Sequence, residues 1–402
     1  MDIFERIQCH NGPIGALQNM IEGKFAFPKL KGKISNHISF KDKDLICWSY
    51  NNYLGLAGSK EIDEIDAFAQ KKWGITYPMG SRMMTGDTFL HDEFEENIAN
   101  FVNMEKALLL NFGYQGMVSV VDALLSSNDV VISDEQCHAC TIDGIRLHRG
   151  ERLIYKHNDI KSLAKQLEIA TKLTKQTRGG ILVITEGVFS MSGARGKLKE
   201  ICDLKTHYNF RLLVDDAHGF GVLGSNGNGT ICEYNLEDKV DLYFTTFTKS
   251  MASFGAIIAG KKEVINYFKY NLRSQLFSKS LPMPIVYGLN ERLKIIAKAN
   301  NRRKKLFAIT NQLQQGLQER NLLSAHVDSH ITPVYFNIKM EEVFQLQTEL
   351  VQDFGVFCSV IIYPVVPKGT VIFRLTPTCL HTEEDVRHTL ESYDMVFQKI
   401  MV

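Results

Sequence analysis

Two stretches of the sequence carry residue types that could do chemistry. Val214-Asp215-Asp216-Ala217-His218 places an acid and an imidazole just after the apolar run Arg211-Leu212-Leu213-Val214. Thr246-Phe247-Thr248-Lys249-Ser250 surrounds one lysine with hydroxyls, after the run Asp241-Leu242-Tyr243-Phe244. Short apolar runs without alternation predict buried parallel strands. Open α/β sheets collect their ligands at the carboxyl ends of such strands. A lysine there can form a Schiff base, and a carboxylate can keep a pyridine nitrogen protonated so that the ring accepts electrons. That pairing is what pyridoxal phosphate chemistry needs. Taken singly, Asp215 reads as a helix cap and Lys249 as a solvated charge; together, at strand ends, they favour the cofactor.

The elements that must position these groups follow from the pattern. Ala107–Leu110, Val130–Ile132, Gly180–Ile184 and Gly255–Gly260 read as further strands, and the segments between them as helices. Strands alternating with helices predict a mostly parallel sheet covered on both faces. Asn111-Phe112-Gly113-Tyr114-Gln115-Gly116 joins a strand to a helix and could cradle an anion with free amide groups, although many such turns carry glycine for steric reasons alone. His138 follows a strand; it reads as a cap or core residue, or as an imidazole lying over a flat cofactor ring. Ile34–Trp48 reads as a hairpin turning at Lys41–Asp44, and the polar Tyr50–Leu56 segment as a loop that faces something. Beyond Pro282 and Pro284 the pattern changes to a long helix, roughly Ile285–Gln318, then to a smaller α+β unit whose last helix opens on a Thr382/Asp385 capping box. The boundaries fall at 1–45 for a helix and lead segment, 46–283 for the large domain and 284–402 for the small one.

Bulk properties narrow the class. The 402 residues can bury a large core, and 46 Lys plus Arg against 45 Asp plus Glu give a net charge of +1. No overall basic field recruits nucleic acid. Of the eight cysteines only Cys137 and Cys140 stand close, with no second pair downstream, which argues against zinc. No apolar run reaches the ~18 residues of a spanning helix, and no signal pattern opens the chain, so a cytoplasmic location is the expectation.

With these motifs collected, the chain resembles the α-oxoamine synthases. These are fold-type-I pyridoxal phosphate acyltransferases that include serine palmitoyltransferase, glycine C-acetyltransferase, 8-amino-7-oxononanoate synthase and 5-aminolevulinate synthase. The likeness runs from Asn51-Asn52-Tyr53-Leu54-Gly55-Leu56 to His381-Thr382, through Gly80-Ser81-Arg82, His138-Ala139, Glu186-Gly187-Val188-Phe189-Ser190-Met191 and the two stretches above. It implies an α/β fold with a seven-stranded, mostly parallel sheet and a smaller α+β carboxyl-terminal domain. It implies that Lys249 holds the cofactor and moves protons at Cα, that Asp215 pairs with the ring nitrogen, that His218 bonds the phenolic oxygen and that His138 stacks on the ring. Gly113, Tyr114, Ser190, Thr246 and Thr248 would complete the cofactor site, with Ser278 contributed across a homodimer. Asn52, Arg374 and Arg82 would meet the amino acid.

The implied reaction joins an amino acid to an acyl thioester, carried by CoA or a carrier protein, with loss of CO2. The lysine stretch is similar to the serine palmitoyltransferase version, and Tyr363-Pro364-Val365-Val366-Pro367-Lys368-Gly369 to the glycine acetyltransferase version. We favour serine or a serine-like amino acid such as cysteate, with glycine C-acetyltransferase or 8-amino-7-oxononanoate synthase as the alternative and an aminotransferase as a more remote one. Where the family commonly carries Met-Asp/Glu-Gly-Asp this chain has Met191-Ser192-Gly193-Ala194-Arg195, so acids are lost and a base gained; Arg195 pointing inward would favour an additional anionic group on the amino acid.

Overall fold

Six short apolar segments, each buried along most of its length, pair with one more polar edge strand into a single sheet. A computed structural model describes residues 2–10, 12–24, 26–323, 327–336 and 338–397. In the sheet the strands lie in the order 106–110, 256–260, 242–246, 211–215, 181–186, 130–134 and 151–155. The five from 242–246 to 151–155 run parallel; 256–260 runs antiparallel to both its neighbours. The α/β expectation therefore holds, and six of the strands lie where the apolar runs predict. The seventh, Glu151–Tyr155, escaped notice because its sequence is half charged and its outer edge is exposed.

The chain folds as two compact units. One comprises residues 59–190 and 194–301, including the whole seven-stranded sheet; the other comprises 1–58, 191–193 and 302–402. Met283–Ala297 belongs with the sheet unit because it packs on the helices Lys60–Trp73 and Phe89–Phe101. The long helix is two: Lys298 turns its N–H back to Ile295 and Ile296, and a second helix runs Asn300–Glu319.

In the other unit the hairpin forms as expected, with strands His37–Phe40 and Lys43–Cys47. Lys41 and Asp42 both adopt positive φ, the geometry that suits the right-handed twist of a tight hairpin. The second hairpin strand pairs in parallel with Val356–Phe357, which is how residues from the two ends of the chain come to share one unit. A second sheet orders 332–336, 371–375 and 359–361. Trp48 stacks on His381 at 3.8 Å between ring centroids in the core of this unit. The capping box forms: Thr382 Oγ1 accepts from Asp385 N–H, and the Asp385 carboxylate accepts from Thr382 N–H.

Burial holds His381 at a pKa of about 4 although Nδ1 and Nε2 both have partners. Asp216 is lifted by burial to about 7 while it accepts from Thr230 and Tyr243. The two act in opposite senses. A depressed histidine contributes stability above pH 6.5 that is lost as pH falls towards its folded value; a raised acid contributes stability below pH 3.8 that is lost as pH rises through 7. A single variant separates them: His381→Gln should destabilise the protein less at pH 5 than at pH 7.5. The difference should be about 2 kcal/mol, read by denaturant melts at the two pH values.

Candidate active site

Three parallel strands end together and bring their terminal polar residues to one edge. Glu186 is in register with Asp215, and Asp215 with Phe244, two residues before Thr246. Here opens a cavity of about 340 Å³, lined by Phe112, Gly113, Tyr114, His138, Cys140, Glu186, Asp215, Ala217, His218, Phe244, Thr246, Thr248 and Lys249. The organising lysine and acid, 34 residues apart in sequence, therefore face one space.

Its electrostatics favour a cation beside the acids. Asp215 is buried and accepts the Ala217 N–H at 3.1 Å. Burial raises its pKa above the ordinary range; the charges of Lys249 and His138 and the Ala217 bond pull the other way. Glu186 is raised well above its ordinary value by burial and then by the Asp215 charge, while it accepts the His138 N–H at 2.6 Å. Two buried acids side by side resist ionisation until a positive group joins them. A protonated ring nitrogen is such a group.

The far end suits an anion. The helix Gly113–Leu124 starts at the cavity, and its N-cap residue Phe112 offers no side-chain acceptor, leaving first-turn amides for a ligand. Thr246 and Thr248 place their hydroxyls 3.2 Å apart beside it. A Cβ on Gly113 would lie 2.9 Å from Thr246 Oγ1, so glycine is what allows the helix end to approach. Between the two ends stands His138, which caps the helix Ala139–Leu147. Its Nδ1 accepts the Cys140 N–H at 3.2 Å and lies 3.0 Å from the Cys140 thiol. Burial lowers its pKa, so the ring is a neutral, flat surface. Cation partner, flat imidazole and anion cradle fit pyridoxal phosphate: Asp215 would face the ring nitrogen, His138 the ring, and Gly113, Tyr114, Thr246 and Thr248 the phosphate.

Other expected residues lie elsewhere. Ser190 and Ser278 are half-buried and do not line the cavity. Arg82 is also outside it: Asp87 and Glu95 hold its buried guanidinium at 2.6 and 2.8 Å. Arg195 does not reach the cavity lining; Glu233 pairs with it and the Tyr234 ring lies under it. Asn52 and Arg374 belong to the other unit. There the Asn52 amide brackets Ala57, donating to its carbonyl at 3.2 Å and accepting its N–H at 3.0 Å. Asn51, its neighbour, bonds Arg374, with Oδ1 accepting from Arg374 Nη1 and Nη2 at 3.4 and 3.3 Å and from the Tyr53 hydroxyl at 3.2 Å. Two adjacent asparagines cannot be told apart by type; only the turn at Gly55 decides which faces Arg374. Among the lining residues Glu186 and Cys140 were not foreseen as ligand groups, although both lie in motifs that the sequence reading singled out.

The family model for aminotransferases of class I and II matches residues 43–392. The chain belongs to that family. It is 48% identical to a cysteate-C-fatty acyltransferase of Capnocytophaga ochracea over 99% of this chain and 95% of the relative. It is 32% identical to a serine palmitoyltransferase of Sphingobacterium spiritivorum, over 93% of this chain and 92% of that one. A solved serine palmitoyltransferase with pyridoxal phosphate superposes with a TM-score of 0.91, at 25% identity and 100% coverage of both chains. The fold-type-I expectation and the α-oxoamine synthase resemblance hold: the chain is a pyridoxal-phosphate-dependent acyltransferase.

Lys249→Ala is expected to lower turnover by about 10²–10⁴-fold, the range of a lost general base. It should also abolish the visible absorption band that survives gel filtration of the unmodified protein. A band that persists with full intensity would remove Lys249 from the cofactor.

Proposed function

We propose that the protein condenses cysteate with a long-chain acyl thioester, releasing CO2 and the free thiol and leaving an α-amino ketone that carries a sulfonate. The observation that carries the choice of amino acid is the 48% identity, nearly end to end, with a cysteate-C-fatty acyltransferase, against 32% for the serine enzyme. When bound, pyridoxal phosphate supplies an electron sink for the α-carbon. Lys249 would hold it and would take the Cα proton of the amino acid. Asp215 would keep the ring nitrogen cationic, and the neutral imidazole of His138 would offer a flat face for the ring to stack on. The α-carbon bonds to the acyl carbonyl carbon as the C–S bond breaks, and the thiol leaves with a proton. Loss of CO2 leaves an electron pair at the α-carbon, where Lys249 returns a proton.

Arg374 grips the amino-acid carboxylate in this reading. Its planar fork suits two carboxylate oxygens, and Asn51 keeps the guanidinium from rotating. A homodimer completes the phosphate site with Ser278. In support, Met79, Met83, Met84, Phe89 and Phe277 are exposed around two segments joined by Ser280 N–H to Gly80 O at 2.9 Å. Among the described residues no helix is long and apolar enough to cross a membrane, and the eight cysteines are free. A cytoplasmic location is part of the same proposal.

Free-thiol release from palmitoyl-CoA should be faster with cysteate than with serine or glycine at equal concentration. A preference for serine would overturn the choice of amino acid and leave the acyltransferase intact. Asn51→Ala should raise the KM for the amino acid by about tenfold or more, the loss of a hydrogen bond to a charged group. Asn52→Ala should instead lower the melting temperature with little change in KM.

A further inference from the structure

The whole-chain charge of +1 conceals a local excess. Residues 2–34 hold four lysines and Arg6 against Asp2, Glu5 and Glu22, a net +2, and the four lysines all fall in 24–34, which has no acidic residue. Lys24, Lys29, Lys31 and Lys33 are all exposed. Lys31 exchanges both backbone hydrogen bonds with Ser39, so the chain there is extended and its side chains alternate between faces. Leu30 turns inwards to pack with Ile38, Phe40, Leu45, Cys47 and Phe357. Lys29 and Lys31 flank Leu30 and point away from that cluster, and Lys33 is exposed just beyond Gly32, whose φ of +94° turns the chain. Asp42 pairs with Lys31, and Asp44 is taken by His37.

Apolar side chains are exposed beside these lysines. Phe27 is 83% exposed and sits at φ +54°, a region that bulky residues rarely adopt, so a strained backbone presents an aromatic ring to solvent. Ile34 is exposed at the other end of the lysine run. The helix Ile3–Cys9 buries none of its residues; Ile3, Phe4 and Ile7 lie one turn or less apart and are 67%, 76% and 54% exposed. Exposed aromatic and aliphatic side chains combined with exposed lysines are the composition that inserts at a lipid headgroup boundary.

We propose that residues 2–34 dock this enzyme on an anionic lipid bilayer. The charge complementarity commits the surface to that partner, and the acyl chain of the product gives the contact a use, since a long-chain amino ketone partitions into lipid. The inference rests on the acyl-transfer reading for that use only; the identity of the amino acid does not enter.

Flotation of the full-length holoenzyme tests it, with vesicles of phosphatidylcholine alone and of phosphatidylcholine containing one third phosphatidylglycerol. Unmodified protein should float with the anionic vesicles only, and its affinity should fall steeply as salt is raised. The triple variant K29S/K31S/K33S should bind about a hundredfold more weakly, near fivefold for each lysine. F27S, and separately I3S/F4S/I7S, should also weaken binding. All three variants should keep thiol release from a short, water-soluble acyl thioester, since none of these residues lines the cavity; this shows that they fold. Failure of the unmodified protein to float, or floating that the lysine variant leaves unchanged, would overturn the proposal. So would a variant that no longer dimerises by light scattering while the unmodified protein ignores vesicles, which would make this face a contact between two copies of the chain. Vesicle binding is read without substrate, so it fails or succeeds independently of the catalytic reading.

Discussion

The site depends on the balance between burial and charge around Asp215. Three parallel strands deliver two carboxyl groups and, one loop further, an amine to the same cavity. Burial alone would neutralise both acids, and Lys249 is the protein's own counterweight. This constraint explains why the surroundings are so thoroughly specified. Asp216, next in sequence, is sequestered by Thr230 and Tyr243, which keeps a third acid from competing for the same cation. His138 is held neutral and tied through Nδ1, so it adds a surface and not another charge.

Much of this was legible in the sequence because sheet strands and catalytic groups leave local traces. The apolar runs before Asp215 and Thr246 fix both the strands and where they end, and the glycine after Phe112 marks the helix start. What escaped depended on distant partners. The charged strand Glu151–Tyr155 is held by its pairing with Val130–Asp134 and not by its own pattern. The break between Ala297 and Asn300 carries no proline or glycine. Arg82 has the type and motif of a substrate ligand, and only Asp87 and Glu95 reveal that it is already occupied. Asn51 and Asn52 differ solely by which side of a turn they face.

Substrate choice within this family is then a matter of what surrounds a shared centre. Arg195 stands in the stretch that the family resemblance singled out, yet Glu233 and Tyr234 absorb it. A sulfonate would have to be met by other groups than the one its sequence position suggests. In the proposed reading the carboxylate grip is also supported from behind, since Asn51 accepts from both terminal nitrogens of Arg374.

The joining of Lys43–Cys47 to Val356–Phe357 spans some 310 residues of intervening chain, and it has a consequence for biogenesis. During synthesis the early hairpin emerges with one edge unsatisfied and waits until almost the whole polypeptide has been made. The sheet that bears Lys249, wholly contained between residues 106 and 260, can assemble in the meantime. A long-range pairing of this kind is slow to form and leaves strand edges open to wrong partners. The newborn chain thus holds a nearly finished catalytic floor while its first hairpin still lacks a third strand.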